Sequence, residues 1–435
     1  MNRILVVLLT LVLVVSFVLA GCSSSTPAPS TTKAPTTTAA PTTTAAPTTT
    51  AAPTTTAAPT TTAAPTTPVN TTPIKIGAIM SMTGESALVG PGEKEALQYR
   101  LDQIGNKIAG RPIQLIIDDD ASSPTTSVDA VKKQLLLDKV DVIIGPTMGA
   151  AAVAAGNFMK TANPAIPIFI IMAKSGKLLE NAPGNNIYLP MGTDLSTGYY
   201  LGLYAADTLK YKTTTLLLED MISGYEKVQD GFLPAFKKQG GSSVQQQTVK
   251  SGTVDFSPFL AALKPADCVT FWFTPGLTSR FVAQYYAAGK TMPLLIPDSS
   301  VLLSKPLTGI GDKAVGIVSE INYTTLIDSP MNQAYIADYA KKMNGNLPTT
   351  QGGAMDQSLL IYLEAVKATG GDTAPAKINE AIRKIKLETP AGVTSFTPQG
   401  MGIGDLYIAQ SVKLADRIDW KPIFSYKQIV LDLPK

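Results

Sequence analysis

From Ile74 onward, short apolar runs alternate with segments of helical spacing, and that rhythm admits few folds. The runs cover 74–80, 113–118, 140–145, 165–172, 213–218, 244–249, 268–274, 293–296 and 314–321. They are nearly continuous in apolar residues, which predicts strands buried on both faces, as in parallel sheets covered by helices. Between them, Val128, Val131 and Leu135 recur at three and four residues after Ser123-Pro124, a cap residue followed by proline at the first helical position. Phe281, Tyr285 and Ala288 repeat the pattern before Gly289. The alternation falters near 187–190 and again near 320–325, then gives three helical patterns (331–344, 351–368, 374–384) and a strand-rich tail. Roughly 360 residues exceed one typical domain of ~100–200. The expected fold class is therefore α/β, with two doubly wound parallel-sheet lobes between which the chain crosses more than once.

The start of the chain is of a different kind. Arg3 precedes an apolar stretch over 4–19, broken only by Thr10 and Ser16, and Leu19-Ala20-Gly21-Cys22 follows. Charge, apolar core and small residues in that order read as a secretory signal over 1–21, and the stretch is shorter than the ~20 residues of a membrane-spanning helix. Leu19-Ala20-Gly21-Cys22 resembles the bacterial lipoprotein processing box, which implies that Cys22 becomes the acylated first residue. Two or more acyl chains suffice for stable anchoring. Residues 22–72 hold little besides Thr, Ala, Pro and Ser, and 36–65 are five tandem copies of Thr-Thr-Thr-Ala-Ala-Pro. Such a sequence buries too little apolar surface to offset chain entropy, so a disordered tether is expected. Regular proline biases it towards extended forms of up to ~3.1 Å per residue, and its threonine density fits O-glycosylation.

Composition narrows the chemistry. The chain has no histidine, which removes the commonest general base and metal ligand and makes a Ser–His–acid triad impossible. A formal charge of +3 without a dense Lys/Arg patch gives no footprint for nucleic acid. Once Cys22 is acylated, Cys268 is left alone in an apolar string and reads as a buried, inert thiol. Gly90-Pro91-Gly92 opens like a dinucleotide loop, but Glu95 stands where the third glycine belongs. Asp118-Asp119-Asp120 reads as a strand end and turn, because adjacent strand residues alternate in direction. No catalytic residue, cofactor or metal is expected.

Several motifs carry a family resemblance in order. Ile76-Gly77-Ala78 leads into Thr83-Gly84-Glu85-Ser86-Ala87-Leu88-Val89-Gly90. Gly110-Arg111-Pro112-Ile113-Gln114-Leu115 and Asp119-Asp120-Ala121-Ser122-Ser123-Pro124 follow. Val142-Ile143-Ile144-Gly145-Pro146, Ile166-Pro167-Ile168 and Val254-Asp255-Phe256-Ser257 complete the set. Over Ile74 to Lys435 the chain resembles the type I periplasmic-binding-protein family, in its leucine/isoleucine/valine-binding branch. The resemblance implies two α/β lobes joined by a three-strand hinge, with an N-lobe of 74–192 plus 322–392 and a C-lobe of 193–321 plus 393–435. It further implies a monomeric solute-binding lipoprotein outside the cytoplasmic membrane, held to the membrane by its lipid. Such a protein closes on a small solute and serves the permease of an ABC importer. A ligand-sensing module of the same fold is the alternative.

Ligands of open parallel sheets bind beyond the carboxyl ends of strands, at loops leading into helix N-termini. After the run 140–145 come Pro146-Thr147-Met148-Gly149-Ala150-Ala151, where a helix start supplies free N–H groups and a dipole that favour a carboxylate. The resemblance assigns Thr147, Met148, Gly149 and Ala150 to the ligand site, although amino-acid binders carry serine at the place of Gly149. It places Ala173, Lys174 and Ser175 there as well, where relatives have a small hydroxyl residue. Ser175 takes that role after a one-residue shift, or Lys174 pairs with an anionic ligand group, or Lys174 lies on the wet rim. Val89 replaces a frequent aromatic and leaves an apolar wall. From the second lobe, Asp298 matches the acid that meets a ligand ammonium, with a helix N-cap as its competing role, and Tyr225 is a candidate lid aromatic. The implied ligand is a small carboxylate: an amino acid if Asp298 faces the cleft, otherwise an aromatic or aliphatic acid or an amide.

Overall fold

The computed structural model describes residues 71–147, 149–162, 165–171, 178–179 and 186–432. The expected signal, Cys22 and the tether up to residue 70 lie outside the described residues, as do Met148, Ala173, Lys174 and Ser175. The described residues fall in one compact unit. Among the described residues, no helix is long and apolar enough to cross a membrane.

Two sheets organise this unit. The first contains β1 (Ile74–Met80), β2 (Lys107–Ile108), β3 (Arg111–Asp119), β4 (Val142–Ile144), β5 (Ile168–Phe169) and β6 (Ile187–Tyr188), in the order β2-β3-β1-β4-β5-β6. All its pairings are parallel except the short β2–β3 hairpin. The second contains β7 (Thr213–Glu219), β8 (Ser242–Val249), β9 (Cys268–Trp272), β10 (Leu294–Ile296), β11 (Val318–Ile321), β12 (Lys386–Thr389), β13 (Gly392–Phe396), β14 (Gly402–Lys413) and β15 (Ile418–Val430). Its order is β12-β13-β14-β11-β10-β9-β7-β8, with β15 paired to β14. Strands β7 to β11 run parallel, whereas the tail from β12 to β15 is antiparallel. The sheet is mixed because short turns join the tail strands, and only an antiparallel pair can be closed by a short turn.

Helices cover the sheets: α1 (Gly90–Gln103), α2 (Pro124–Lys133), α3 (Gly149–Ala162), α4 (Asp194–Asp207), α5 (Ile222–Gly224), α6 (Leu233–Lys238), α7 (Ser257–Ala261), α8 (Pro275–Ala287), α9 (Ser304–Ile310), α10 (Pro330–Lys342), α11 (Thr350–Ala368) and α12 (Pro375–Lys384). A π-helical stretch, Tyr225–Phe232, fuses α5 to α6. Ser123 caps α2 with its hydroxyl, and Pro124 opens that helix, as the sequence signals.

The burial of β1 shows why the strands read as continuous apolar runs. Ile76, Ala78 and Met80 face one core with Leu97 and Ile361, while Ile79 faces another with Val131, Ile143 and Ala155. Both faces of the first sheet are thus dry. Fully burying each such aliphatic side chain is worth about 1.5–3 kcal/mol. The second sheet rests on an aromatic core in which Phe271, Phe273 and Phe281 meet with ring centroids 4.6–5.5 Å apart. Cys268 is fully buried there, and burial pushes its thiol up to about 11.

Candidate functional site

The carboxyl ends of β1, β3 and β4 come together around a buried polar knot. The three neighbouring aspartates turn to three different partners. Asp118 pairs with Lys133 at 3.0 Å, Asp119 accepts the Met82 N–H at 2.9 Å and the Thr83 hydroxyl at 2.7 Å, and Asp120 accepts the Ser81 hydroxyl at 2.7 Å. They fasten the loop after β1 to the end of β3. Gly145, at φ +94, lets the end of β4 run against the Ile79 carbonyl, where any side chain would collide.

Thr147 follows, fully buried, with its hydroxyl beside the Glu93 carboxyl. Two residues later α3 begins at Gly149, so an N-terminus fourteen residues long in its helix points from this strand end. Ala150 is exposed on its first turn. Glu93, in the first turn of α1, is fully buried beside Thr147 and Asp120. Burial pushes it up to about 8, a shift eased by the Thr147 hydroxyl and increased by the Asp120 charge. Val89 caps the same helix but is only 1 % exposed and packs into the first core, leaving Leu88, 55 % exposed, as the outward apolar residue of that loop.

On the second sheet, Glu219 ends β7 and accepts the Ser251 hydroxyl at 2.5 Å and the Thr274 N–H at 2.7 Å, which fixes two neighbouring loops. Tyr225 is half-buried and donates its hydroxyl to Asp220 at 3.1 Å. Asp298 adopts φ +119, an uncommon region for a residue with a side chain, held by an Oδ1 that accepts the Ser300 N–H at 3.0 Å. It therefore caps the short 3-10 turn Ser299–Val301. Its Oδ2 lies 3.5 Å from Lys227 Nζ, which also contacts Asp194 Oδ1 at 2.5 Å and sits 4.8 Å from the Trp272 ring centroid. Burial alone would depress the Lys227 ammonium, but the Asp194 and Asp298 carboxylates outweigh it and hold it above its ordinary value. The acid expected to await a ligand ammonium thus already faces a protein ammonium.

Residues from the two sheets meet across this region. A side chain at Gly276, in the first turn of α8, would come within 3.7 Å of the Glu85 carbonyl, and the Gln351 amide donates to the Ser300 carbonyl. Sequence reasoning missed Lys227, Asp194, Glu93 and Gln351. Only Asp194, after Thr193, carried a local signal, that of a helix start.

Known proteins share this fold. A family model described as periplasmic binding protein matches residues 73–416. The chain belongs to the periplasmic binding protein family. That family comprises solute-binding proteins and not enzymes, and its type I fold accounts for the two mixed α/β sheets. Among curated relatives, the Leu/Ile/Val-binding protein homolog 6 of Brucella abortus (strain 2308) is 24 % identical, over 79 % of this chain and 88 % of its own length. A solute binding protein of an ABC transporter from Rhodopseudomonas palustris BisB5, solved with 3,4-dihydroxybenzoic acid, is 25 % identical. It superposes with a TM-score of 0.75 over 82 % of this chain and 98 % of its own. The branched-chain amino acid transporter substrate binding protein of Streptococcus pneumoniae, in complex with isoleucine, shares the fold at 20 % identity and a TM-score of 0.70, over 81 % and 99 % of the chains.

Proposed function

We propose that this periplasmic binding protein is the lipid-anchored capture component of an ABC importer. It closes two lobes on a small organic carboxylate lacking an ammonium group and delivers it to a membrane permease. The observation that carries the reading is the Lys227–Asp298 contact, because the acid that would meet a ligand ammonium already faces a protein ammonium, which it shares with Asp194. The Thr147 hydroxyl, buried beside Glu93, and the α3 N-terminus supply donors for the carboxylate. The relative that holds 3,4-dihydroxybenzoic acid supports an aromatic acid as the ligand class, ahead of the isoleucine seen in the other.

Met148, Gly149, Ala150, Ala173, Lys174 and Ser175 complete the first-lobe side of the site in this reading, and Tyr225 the second. The lobes comprise 74–192 with 322–392 and 193–321 with 393–435. The β12–β13 hairpin straddles the last boundary: it hydrogen-bonds to the second sheet while Leu387 and Phe396 pack against the first core. Anchoring rests on Leu19-Ala20-Gly21-Cys22, and the Thr/Ala/Pro segment lifts the folded part from the lipid.

Calorimetry with 4-hydroxybenzoate, 3,4-dihydroxybenzoate, leucine and isoleucine tests the ligand class. Binding is expected for the aromatic acids, and Thr147→Val is expected to weaken it about tenfold, one hydrogen bond to a charged group. Binding of the amino acids alone would overturn the choice of acid. Unaltered uptake of the bound solute after deletion of the gene would overturn the transport role.

A further inference from the structure

Glu93 stands where three loops of the first sheet converge. It lies in the first turn of α1, beyond the loop from β1, while Asp120 follows β3 and Thr147 follows β4. All three residues are fully buried. The Thr147 hydroxyl faces Glu93, and the charge that bears on it is negative, that of Asp120. Asp120 is itself held by the Ser81 hydroxyl at 2.7 Å and the Ser122 N–H at 2.8 Å. Helix α11 meets the same turn through uncharged groups: a side chain at Gly352 would come within 2.8 Å of the Gly92 carbonyl, and one at Gly92 within 2.8 Å of the Thr349 hydroxyl. Ionising Glu93 therefore sets two buried carboxylates side by side, which favours its neutral form.

The protonation state of Glu93 decides what Thr147 offers, because a hydroxyl has a single hydrogen. Beside a carboxylate that hydrogen is drawn to Glu93, and the hydroxyl presents only lone pairs to anything else. Beside a carboxylic acid the acid donates to the hydroxyl oxygen, and the Thr147 hydrogen is released for another acceptor. Helix α3 starts two residues after Thr147, at Gly149. A negative charge on Glu93 would thus also oppose an anion held at that helix start.

We propose that Glu93 is a positioning residue for capture: as a neutral acid it donates to Thr147 and turns the Thr147 hydrogen towards the ligand carboxylate. The proposal rests on the reading that a carboxylate is captured at Thr147 and the α3 start. Capture is then linked to a proton. Burial has already pushed Glu93 up to about 8, and a bound carboxylate favours its acid form further, so binding takes up a proton in that range. Affinity is full below it and falls as pH rises through it. Histidine, the usual residue to titrate near there, is absent from the chain.

The probe for the test is benzoate, whose one titratable group stays ionised throughout. Calorimetry with the full chain is run at about pH 6.5 and about pH 9, and near pH 8 in two buffers of different ionisation heat. The wild type is expected to bind about tenfold more weakly at the higher pH and to take up a fraction of a proton per benzoate bound. Glu93→Gln, whose amide also donates to Thr147, is expected to show one affinity at both pH values and no proton uptake. Circular dichroism reports whether each protein is folded at both. Equal wild-type affinity at the two pH values, binding without proton uptake, or the same fall in Glu93→Gln would each overturn the proposal. If leucine binds and benzoate does not, the choice of an aromatic acid is wrong. The same measurements with leucine, also a carboxylate, then decide the proton linkage on its own, and binding of neither overturns both.

Discussion

Glu93 enters the folded protein as a carboxylic acid instead of a carboxylate. Its ordinary value of 4.5 becomes about 8, chiefly through burial. Between those values the unfolded chain is ionised there and the folded chain is not, so folding takes up a proton and stability falls as pH rises. The full contribution is present below about 4.5 and is gone above about 8. No histidine obscures this window, and Asp120 and Asp356, both raised by burial, slope the same way. Urea midpoints of the wild type are expected to fall between pH 5 and pH 8, with much of that fall absent in Glu93→Gln; equal slopes in the two proteins would refute the assignment. A second residue carries a larger single cost. Lys227 is 1 % exposed between Asp194 and Asp298, and Lys227→Ala strands two buried carboxylates. The expected loss is about 3–5 kcal/mol in urea denaturation. Lys227→Met combined with Asp194→Asn should recover part of it, since fewer charges are then left unpaired.

At the scale of elements, α4 begins with a reciprocal cap. The Thr193 hydroxyl accepts the Ser196 N–H at 3.1 Å, and the Ser196 hydroxyl accepts the Thr193 N–H at 3.2 Å. The cap is buried and directs Asp194 towards Lys227, so Thr193→Ala is expected to destabilise by about 1–2 kcal/mol, measured by thermal unfolding at fixed pH. That start was not read from the sequence, while the Ser123-Pro124 start of α2 was, because a proline after the cap is unambiguous and Thr193-Asp194 is not. Strands such as β1, β4 and β9 were legible for a related reason: burial on both faces forces a continuous apolar run. The β2 and β12 hairpin strands carry exposed lysines and only partial burial, and they gave no such run. The helix start at Gly149 was legible because a strand end meeting a helix start is a local pattern. Lys227 was not, since its partners lie on other elements and only the tertiary fold unites them. Asp298 was read as a partner for a ligand ammonium or as a helix N-cap, and its contact with Lys227, on another element, left no local signal.

At the scale of the whole molecule, elements packed on the two sheets approach one another. Their backbones come close where Gly276 faces Glu85. If capture proceeds by closure, a ligand that touches both sides raises the population in which these two positions meet. A Glu85→Cys, Gly276→Cys pair converts that population into a covalent signal, because a disulfide forms only when the two Cα atoms lie within about 7 Å. Cys268 is fully buried and its thiol is pushed up to about 11, so it does not compete as a thiolate. Under mild oxidation the double variant is expected to cross-link several times faster with bound solute than without. The cross-linked protein should then retain its solute through dialysis and release it on reduction. Mobility on a non-reducing gel reads the first outcome and mass spectrometry of the dialysed protein the second. Cross-linking at one rate with and without a solute that calorimetry shows to be bound would separate capture from closure. The two sheets would then form a fixed cradle, and a partner permease would have no change of shape to recognise.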